Sequence, residues 1–252
     1  MASDPFADHA RRDFMRIAGS GLAVLALAAR PHVAAAQTAG SPLKIGMVGA
    51  GRVGGALGTL FVKAGHPVMF SSRHPEALKG LAAGLGPLAQ AGTVEQAIAF
   101  GDVVVIAIPY TAMEQIGQAH ARALATKVLV IDVSNPIARR DGEDFVKRVG
   151  EQGGAGLVTA KWLPGAHIVR AFNGIGARRL AEIAHRPGEP VGVPIAGDDS
   201  KAIAVAQNLI REIGFEPVLV GGLAMGRHLV PGTPLGGEHT PAEIRQIAGS
   251  LR

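Results

Sequence analysis

Lys44-Ile45-Gly46-Met47-Val48-Gly49-Ala50-Gly51-Arg52-Val53-Gly54 is the stretch on which the fold turns. Lys44 to Val48 is a candidate buried strand, and Gly49, Gly51 and Gly54 follow in the spacing G-x-G-x-x-G. Beyond them Val53, Leu57, Leu60, Phe61 and Ala64 recur at helical spacing, so the glycines link a strand to an amphipathic helix. In that setting Gly49 permits a tight turn, Gly51 lets a pyrophosphate approach the backbone, and Gly54 lets the helix lie close to the sheet. Ala50, Arg52 and Val53 complete the loop, and the free N–H groups of the helix start favour an anion. The motif therefore predicts dinucleotide binding.

Working outward, Gly65 is placed to end the helix and Pro67 to stop its continuation, with a second strand over Pro67 to Phe70. Further strands are predicted over Asp102–Ile108, Lys127–Val133, Ile168–Phe172, Val193–Ala196 and Glu216–Val220. The unbroken apolar run from Val103 to Ile108 implies strands covered on both faces, hence an α/β, doubly wound, mostly parallel sheet. A helix over Ser200 to Ile213, ended by Gly214 and followed by Pro217, repeats the grammar of the first helix without being a sequence repeat. The order predicts one dinucleotide-binding domain over 43–252, with a small C-terminal extension from about residue 174. The Gly/Pro-rich segments Gly188–Pro194 and Gly221–Gly237 read as loops near a site or an interface, with a homodimer through the latter region as one expectation.

Composition narrows the chemistry. The 252 residues include no Cys, which excludes disulfides, Cys-ligated metals and thiol nucleophiles. A net charge of +5 is too mild to predict a nucleic-acid partner. At the N-terminus, Arg11-Arg12-Asp13-Phe14-Met15-Arg16 precedes an apolar run from Ile17 to Ala29 and an Ala34-Ala35-Ala36 cleavage pattern. Residues 1–36 thus read as a cleavable twin-arginine export signal, which predicts a periplasmic protein with no stable membrane span.

The end of the second strand chooses the cofactor. An NAD site places a carboxylate there for the ribose hydroxyl, whereas this chain has Ser71-Ser72-Arg73-His74, with Glu76 beyond Pro75. Hydroxyls and a guanidinium suit a 2′-phosphate, so NADP is expected. Ligands of such sheets lie beyond the carboxyl ends of the strands, where Ile108-Pro109-Tyr110-Thr111, Ser134-Asn135-Pro136 and Asn173-Gly174 should surround the nicotinamide. Tyr110 could stack on a ring or pack in the protein, and Asn135 and Asn173 could fix a carboxamide or simply form turns. The histidines show no metal-binding spacing; His66 reads as a loop residue, Asp198-Asp199-Ser200 as a helix cap, and Trp162 as packing or as a residue lining the site.

The order of these motifs, with Arg170-Ala171-Phe172-Asn173, resembles the coenzyme F420 (deazaflavin)-dependent NADP oxidoreductases. Membrane ferric reductases of the six-transmembrane type use a similar module. The resemblance covers about residues 43–222 and is carried by the glycine and Ser-Arg motifs; Arg170 stands where the family pattern K-A-F-N has Lys. The segment Arg227 to Pro234 resembles bacterial members known only as NADP-binding proteins. The resemblance implies hydride transfer between NADPH and a small-molecule redox acceptor of deazaflavin or flavin type, made by positioning without an obligatory acid–base pair. Tyr110, Asn135 and Asn173 are then the candidates beside the reacting rings. Two other expectations stand beside it: an imine or carbonyl reductase related to pyrroline-carboxylate reductases, and a carrier or sensor that binds NADP without turnover. No Lys-x-x-Asn helix or Tyr-x-x-x-Lys pair points to other dehydrogenase classes.

Overall fold

A computed structural model describes residues 42–251; the export-signal reading lies outside the described residues. The first half runs β1 (Ile45–Val48), α1 (Arg52–Lys63), β2 (Val68–Ser71), α2 (Lys79–Leu85), β3 (Ala89–Gly92), α3 (Val94–Phe100), β4 (Val103–Ile106), α4 (Met113–Leu124) and β5 (Leu129–Asp132). The second runs α5 (Ala138–Asp141), α6 (Glu143–Glu151), α7 (Ala155–Trp162), β6 (Ile168–Arg170), α8 (Ala177–Ile183), β7 (Gly192–Gly197), α9 (Ser200–Glu212), β8 (Glu216–Gly221) and α10 (Pro241–Ser250).

The strands form one sheet in the order β3-β2-β1-β4-β5-β6-β7-β8. Strands β1 to β6 pair in parallel, and β7 runs antiparallel to β6 while pairing in parallel with β8. Ile45, Met47, Val103, Val105 and Ile131 pack into one apolar cluster, while Val48, Val104, Ile106 and Val130 pack into another. Alternate residues of each central strand thus serve opposite faces, both covered, which is why these strands read as continuous apolar runs. The sequence beyond Asn173 continues this sheet: β7 and β8 extend it, and Val193, Ile195, Leu209 and Ile210 join the cluster that holds β1.

The two helices with matching grammar end alike. At α1 the Gly65 N–H donates to Val62 O and the His66 N–H to Phe61 O, with Gly65 at φ 94°. At α9 the Gly214 N–H donates to Arg211 O and the Phe215 N–H to Ile210 O, with Gly214 at φ 89°. Each is a Schellman turn, which needs a left-handed residue at that position. The Asp199 carboxylate caps α9 by accepting from the Ala202 N–H at 2.8 Å, as its position before the helix implies.

Two details depart from the sequence reading, and one residue read as a loop position is in addition buried. The edge strand β3, Ala89-Gln90-Ala91-Gly92, has no β-branched or aromatic residue and carries no strand signal. The predicted strand over Ile168–Phe172 stops at Arg170, and Phe172 then takes φ 59°, an unusual conformation for a bulky residue. His66 is buried within its loop, its Nε2 lying 2.8 Å from Glu212 Oε2 of α9 and its Nδ1 3.2 Å from the Leu43 backbone N and O.

Candidate functional site

At the carboxyl ends of β1, β2 and β4 lies a cleft of about 690 Å³. It brings together Gly49, Ala50, Gly51, Ser72, Arg73, Ile108 and Pro109 of the expected site, on the side where the strand order leaves β1 in both directions. Gly49 has φ 92°, and a Cβ there would stand 2.5 Å from Ala107 O. A Cβ on Gly54 would lie 1.9 Å from Gly49 O, so the close approach of α1 to the loop needs glycine. A Cβ on Gly51 would meet no atom within 4 Å. Gly51 is the N-cap of α1 and no side chain caps it, which leaves first-turn N–H groups of Arg52, Val53 and Gly54 for an anion. Open space over uncapped donors fits the pyrophosphate of a dinucleotide.

The phosphate-selecting end is narrower than the motif implies. Ser71 is fully buried, and its hydroxyl donates to Met47 O at 2.7 Å; its carbonyl accepts from the Ala50 N–H at 2.9 Å. It supports the loop and has no hydroxyl to offer a ligand. Ser72 Oγ accepts from the His74 N–H at 3.0 Å and retains its proton. Arg73 is exposed and has no hydrogen bond or ion pair among the described residues. Ser72 and Arg73 are therefore the groups left for a 2′-phosphate.

Glu95, Gln115 and His120 also line the cleft, and sequence reasoning missed them. Glu95 stands in the first turn of α3, which opens with a Thr93–Gln96 capping box; that T-x-x-Q pattern was the available signal. Its own backbone N–H and the Thr93 hydroxyl hold the Glu95 carboxyl below the ordinary range, with His120 Nε2 at 3.7 Å adding attraction.

The loops after β5 and β6 do not line this cleft but form an adjacent buried polar cluster. The register sets Asp132 of β5 beside Arg170 of β6, and both side chains are fully buried. Asp132 Oδ2 accepts from Arg170 Nη1 and from Thr159 Oγ1, and its Oδ1 accepts from the Ser134 N–H at 2.8 Å. The Ser134 hydroxyl donates to Ile106 O at 3.2 Å. Asn173 Nδ2 donates to Asp132 O at 3.2 Å and to Ser134 O at 3.4 Å, and Asn135 Nδ2 donates to Asn173 O at 2.7 Å. The left-handed turn at Phe172 lies between Arg170 and Asn173, so a conformation costing about 1–3 kcal/mol sits where two cluster members enter from one strand end. Pro136 follows, half-buried.

Tyr110 takes the packing alternative. It is fully buried, its hydroxyl donating to Ala155 O at 2.7 Å beside Thr159, with Trp162 and Phe145 tilted against the ring. Burial and the charge of Asp132 push its hydroxyl well above the ordinary phenol value. The ring is unavailable for stacking on a ligand. The Asn173–Gly174 turn touches the Gly236–Gly237 loop, a Cβ on Gly174 standing 2.5 Å from Gly237 N, so the C-terminal Gly/Pro-rich segment walls this end. No group of three or more His, Asp or Glu able to hold a metal occurs among the described residues.

A mostly parallel sheet with a glycine loop entering α1 and a basic strand end beside it defines a dinucleotide-binding module of the Rossmann type. Residues 44–136 match the family described as NADP oxidoreductase, coenzyme F420-dependent. The matched segment contains the Gly49–Gly54 loop and the Ser72–Arg73 strand end, so this part of the chain is similar to the dinucleotide-binding domain of that family. It is 31% identical over 189 residues to metalloreductase STEAP3 of Rattus norvegicus, a match covering 74% of this chain and 35% of that protein. The chain thus spans about a third of the length of that curated relative. A hypothetical protein of Sinorhizobium meliloti shares the fold at TM-score 0.67 and 28% identity, over 79% of this chain and 96% of that one. A putative F420-dependent NADP reductase of Arthrobacter sp. does so at TM-score 0.63 and 21% identity, over 83% and 95%.

Proposed function

We propose that this protein binds NADPH along the Gly49–Gly54 loop and passes hydride to a deazaflavin or flavin-like acceptor. The observation that carries the reading is the open, uncapped start of α1 at Gly51 with unpaired Arg73 at the adjoining strand end. Bound NADPH would supply two electrons and one hydrogen nucleus as hydride from nicotinamide C4, a solvent proton completing reduction of the acceptor. The chain's own work is to bind and orient: first-turn N–H groups take the diphosphate, and Ser72 and Arg73 take the 2′-phosphate. The buried cluster around Asp132 and Arg170 fixes the loops expected to hold the nicotinamide end. The description of the family matched over residues 44–136 names NADP and dependence on coenzyme F420, which supports this pairing of donor and acceptor class.

The same reading includes export through the twin-arginine route with the cofactor already bound, because that route carries folded proteins, and self-association through the Gly-rich C-terminal region. Titration with NADPH and NADH, followed by stopped-flow mixing of the NADPH complex with F420 and with FMN, tests the chemistry. Tighter binding of NADPH and bleaching of either acceptor are expected. Equal affinity for NADH, or NADPH binding with no acceptor reduced, overturns it. Native mass spectrometry of protein recovered from the periplasm tests the export arm, with retained NADP as the expected added mass.

A further inference from the structure

Arg170 is the largest fully buried side chain of the described residues. Burying an ion pair is a poor way to gain stability, because the desolvation cost consumes most of the attraction, and an apolar pair of similar size does as well or better. Yet the stem of this side chain is closely packed: a Cβ on Gly226 would stand 2.6 Å from Arg170 Cδ and 3.1 Å from its Nε, so a glycine is needed beside it. The fork is also used beyond the ion pair: Nη2 donates to Ser134 O at 2.9 Å and to Asn135 Oδ1 at 3.3 Å. Asn135 is therefore held at both ends of its amide, Oδ1 by Arg170 and Nδ2 by Asn173 O. One N–H of that amide has no partner among the described residues, and the residue is half-buried at the carboxyl end of β5.

We infer that Arg170 is a positioning residue for the nicotinamide end of the cofactor, locking the rotamer of Asn135 so that its remaining N–H is fixed for the carboxamide oxygen. This rests on the dinucleotide reading above. Arg170 touches no part of the ligand; it acts through Asn135 and the Ser134 carbonyl. A Lys in its place keeps a charge for Asp132 but has no planar fork to span Asp132, Ser134 and Asn135 at once.

The test compares two ligands of the full chain by calorimetry: NADP+, which reaches both ends of the site, and 2′,5′-ADP, which lacks the nicotinamide half. The variants are Arg170→Lys, Asn135→Ala and Gly226→Ala, the last displacing the guanidinium stem without removing its charge. Each should weaken NADP+ by about tenfold, the effect of losing one charge-assisted or positioned hydrogen bond, while 2′,5′-ADP binds as in the wild type. Arg170→Lys combined with Asn135→Ala should be no weaker than Asn135→Ala alone, because both act through one amide. Equal weakening of the two ligands, an unchanged NADP+ affinity, or additive losses in the double variant overturns the inference. If Arg170→Lys does not fold, Gly226→Ala and Asn135→Ala decide on the same ratio. A wild-type protein that binds neither ligand overturns the dinucleotide reading itself, a result distinct from loss of selectivity.

Discussion

Gly51 and Gly54 belong to one motif but should fail in different ways when each is given a methyl group. At Gly54 the new Cβ would lie 1.9 Å from Gly49 O and 3.1 Å from Ala107 Cβ, both on packed structure that cannot swing aside. The helix must retreat from the loop, and overpacking of this kind costs about 3 kcal/mol or more. In a domain of this size that corresponds to a fall of about 6–12 °C in Tm. At Gly51 the same methyl group meets no atom within 4 Å, and Gly51 has φ −70°, which alanine adopts freely. The fold then loses only the small N-cap preference of glycine over alanine, about 0.5–1 kcal/mol, or about 1–4 °C. The methyl group does occupy the space in which a pyrophosphate must approach the first-turn N–H groups. Losing one charge-assisted hydrogen bond is worth about 1.5–3 kcal/mol, a ten- to hundredfold weakening of NADP+. Thermal melts and NADPH fluorescence titrations of Gly51→Ala and Gly54→Ala read the two effects separately. A Gly51→Ala protein that binds NADPH within about threefold of wild type refutes the placement of the diphosphate.

Arg73→Ala should leave Tm unchanged, since the side chain has no protein partner among the described residues, and should lower the ratio of NADPH to NADH affinity by at least about tenfold; competitive titration checks it. Thr240→Ala breaks the capping box of α10, in which Thr240 accepts from the Glu243 N–H and Glu243 from the Thr240 N–H, and should lower Tm by about 2–4 °C in differential scanning calorimetry. The Ala202 N–H, with His167 assisting, holds the Asp199 carboxyl below its ordinary value against the opposing effect of burial. Its folded pKa being depressed, the stability it contributes is present above the unfolded carboxyl value and is lost as pH falls through the folded one. Asp199→Asn keeps the cap but removes this titration, so the Tm difference between the two proteins should shrink as the pH is lowered through the acid range.

How much of the site was legible depends on the range of the interactions that build it. The glycine loop and the Ser-Arg strand end are local: the turn at Gly49, the cap at Gly51 and the basic end of β2 follow from residues next to one another in the chain. Tyr110 and Ser71 show the limit of such reasoning. Both stand at strand ends, where side chains commonly face ligands, yet Tyr110 turns inward to Ala155 and Thr159, 45 and 49 residues away, and Ser71 to Met47. No local pattern encodes those partners. The same holds for Glu95 and His120, which meet across the cleft only because α3 and α4 flank it.

By itself the chain determined the alternation of strands and helices, the two Schellman helix ends and the coverage of both sheet faces, because periodicity, Gly–Pro punctuation and unbroken apolar runs are properties of neighbouring residues. The reversal of β7 against β6, the pairing of Asp132 with Arg170 and the clamping of Asn135 were decided only by tertiary structure. Each depends on which distant strand ends the sheet brings into register, and a buried charge or amide takes its place from the partner it finds there.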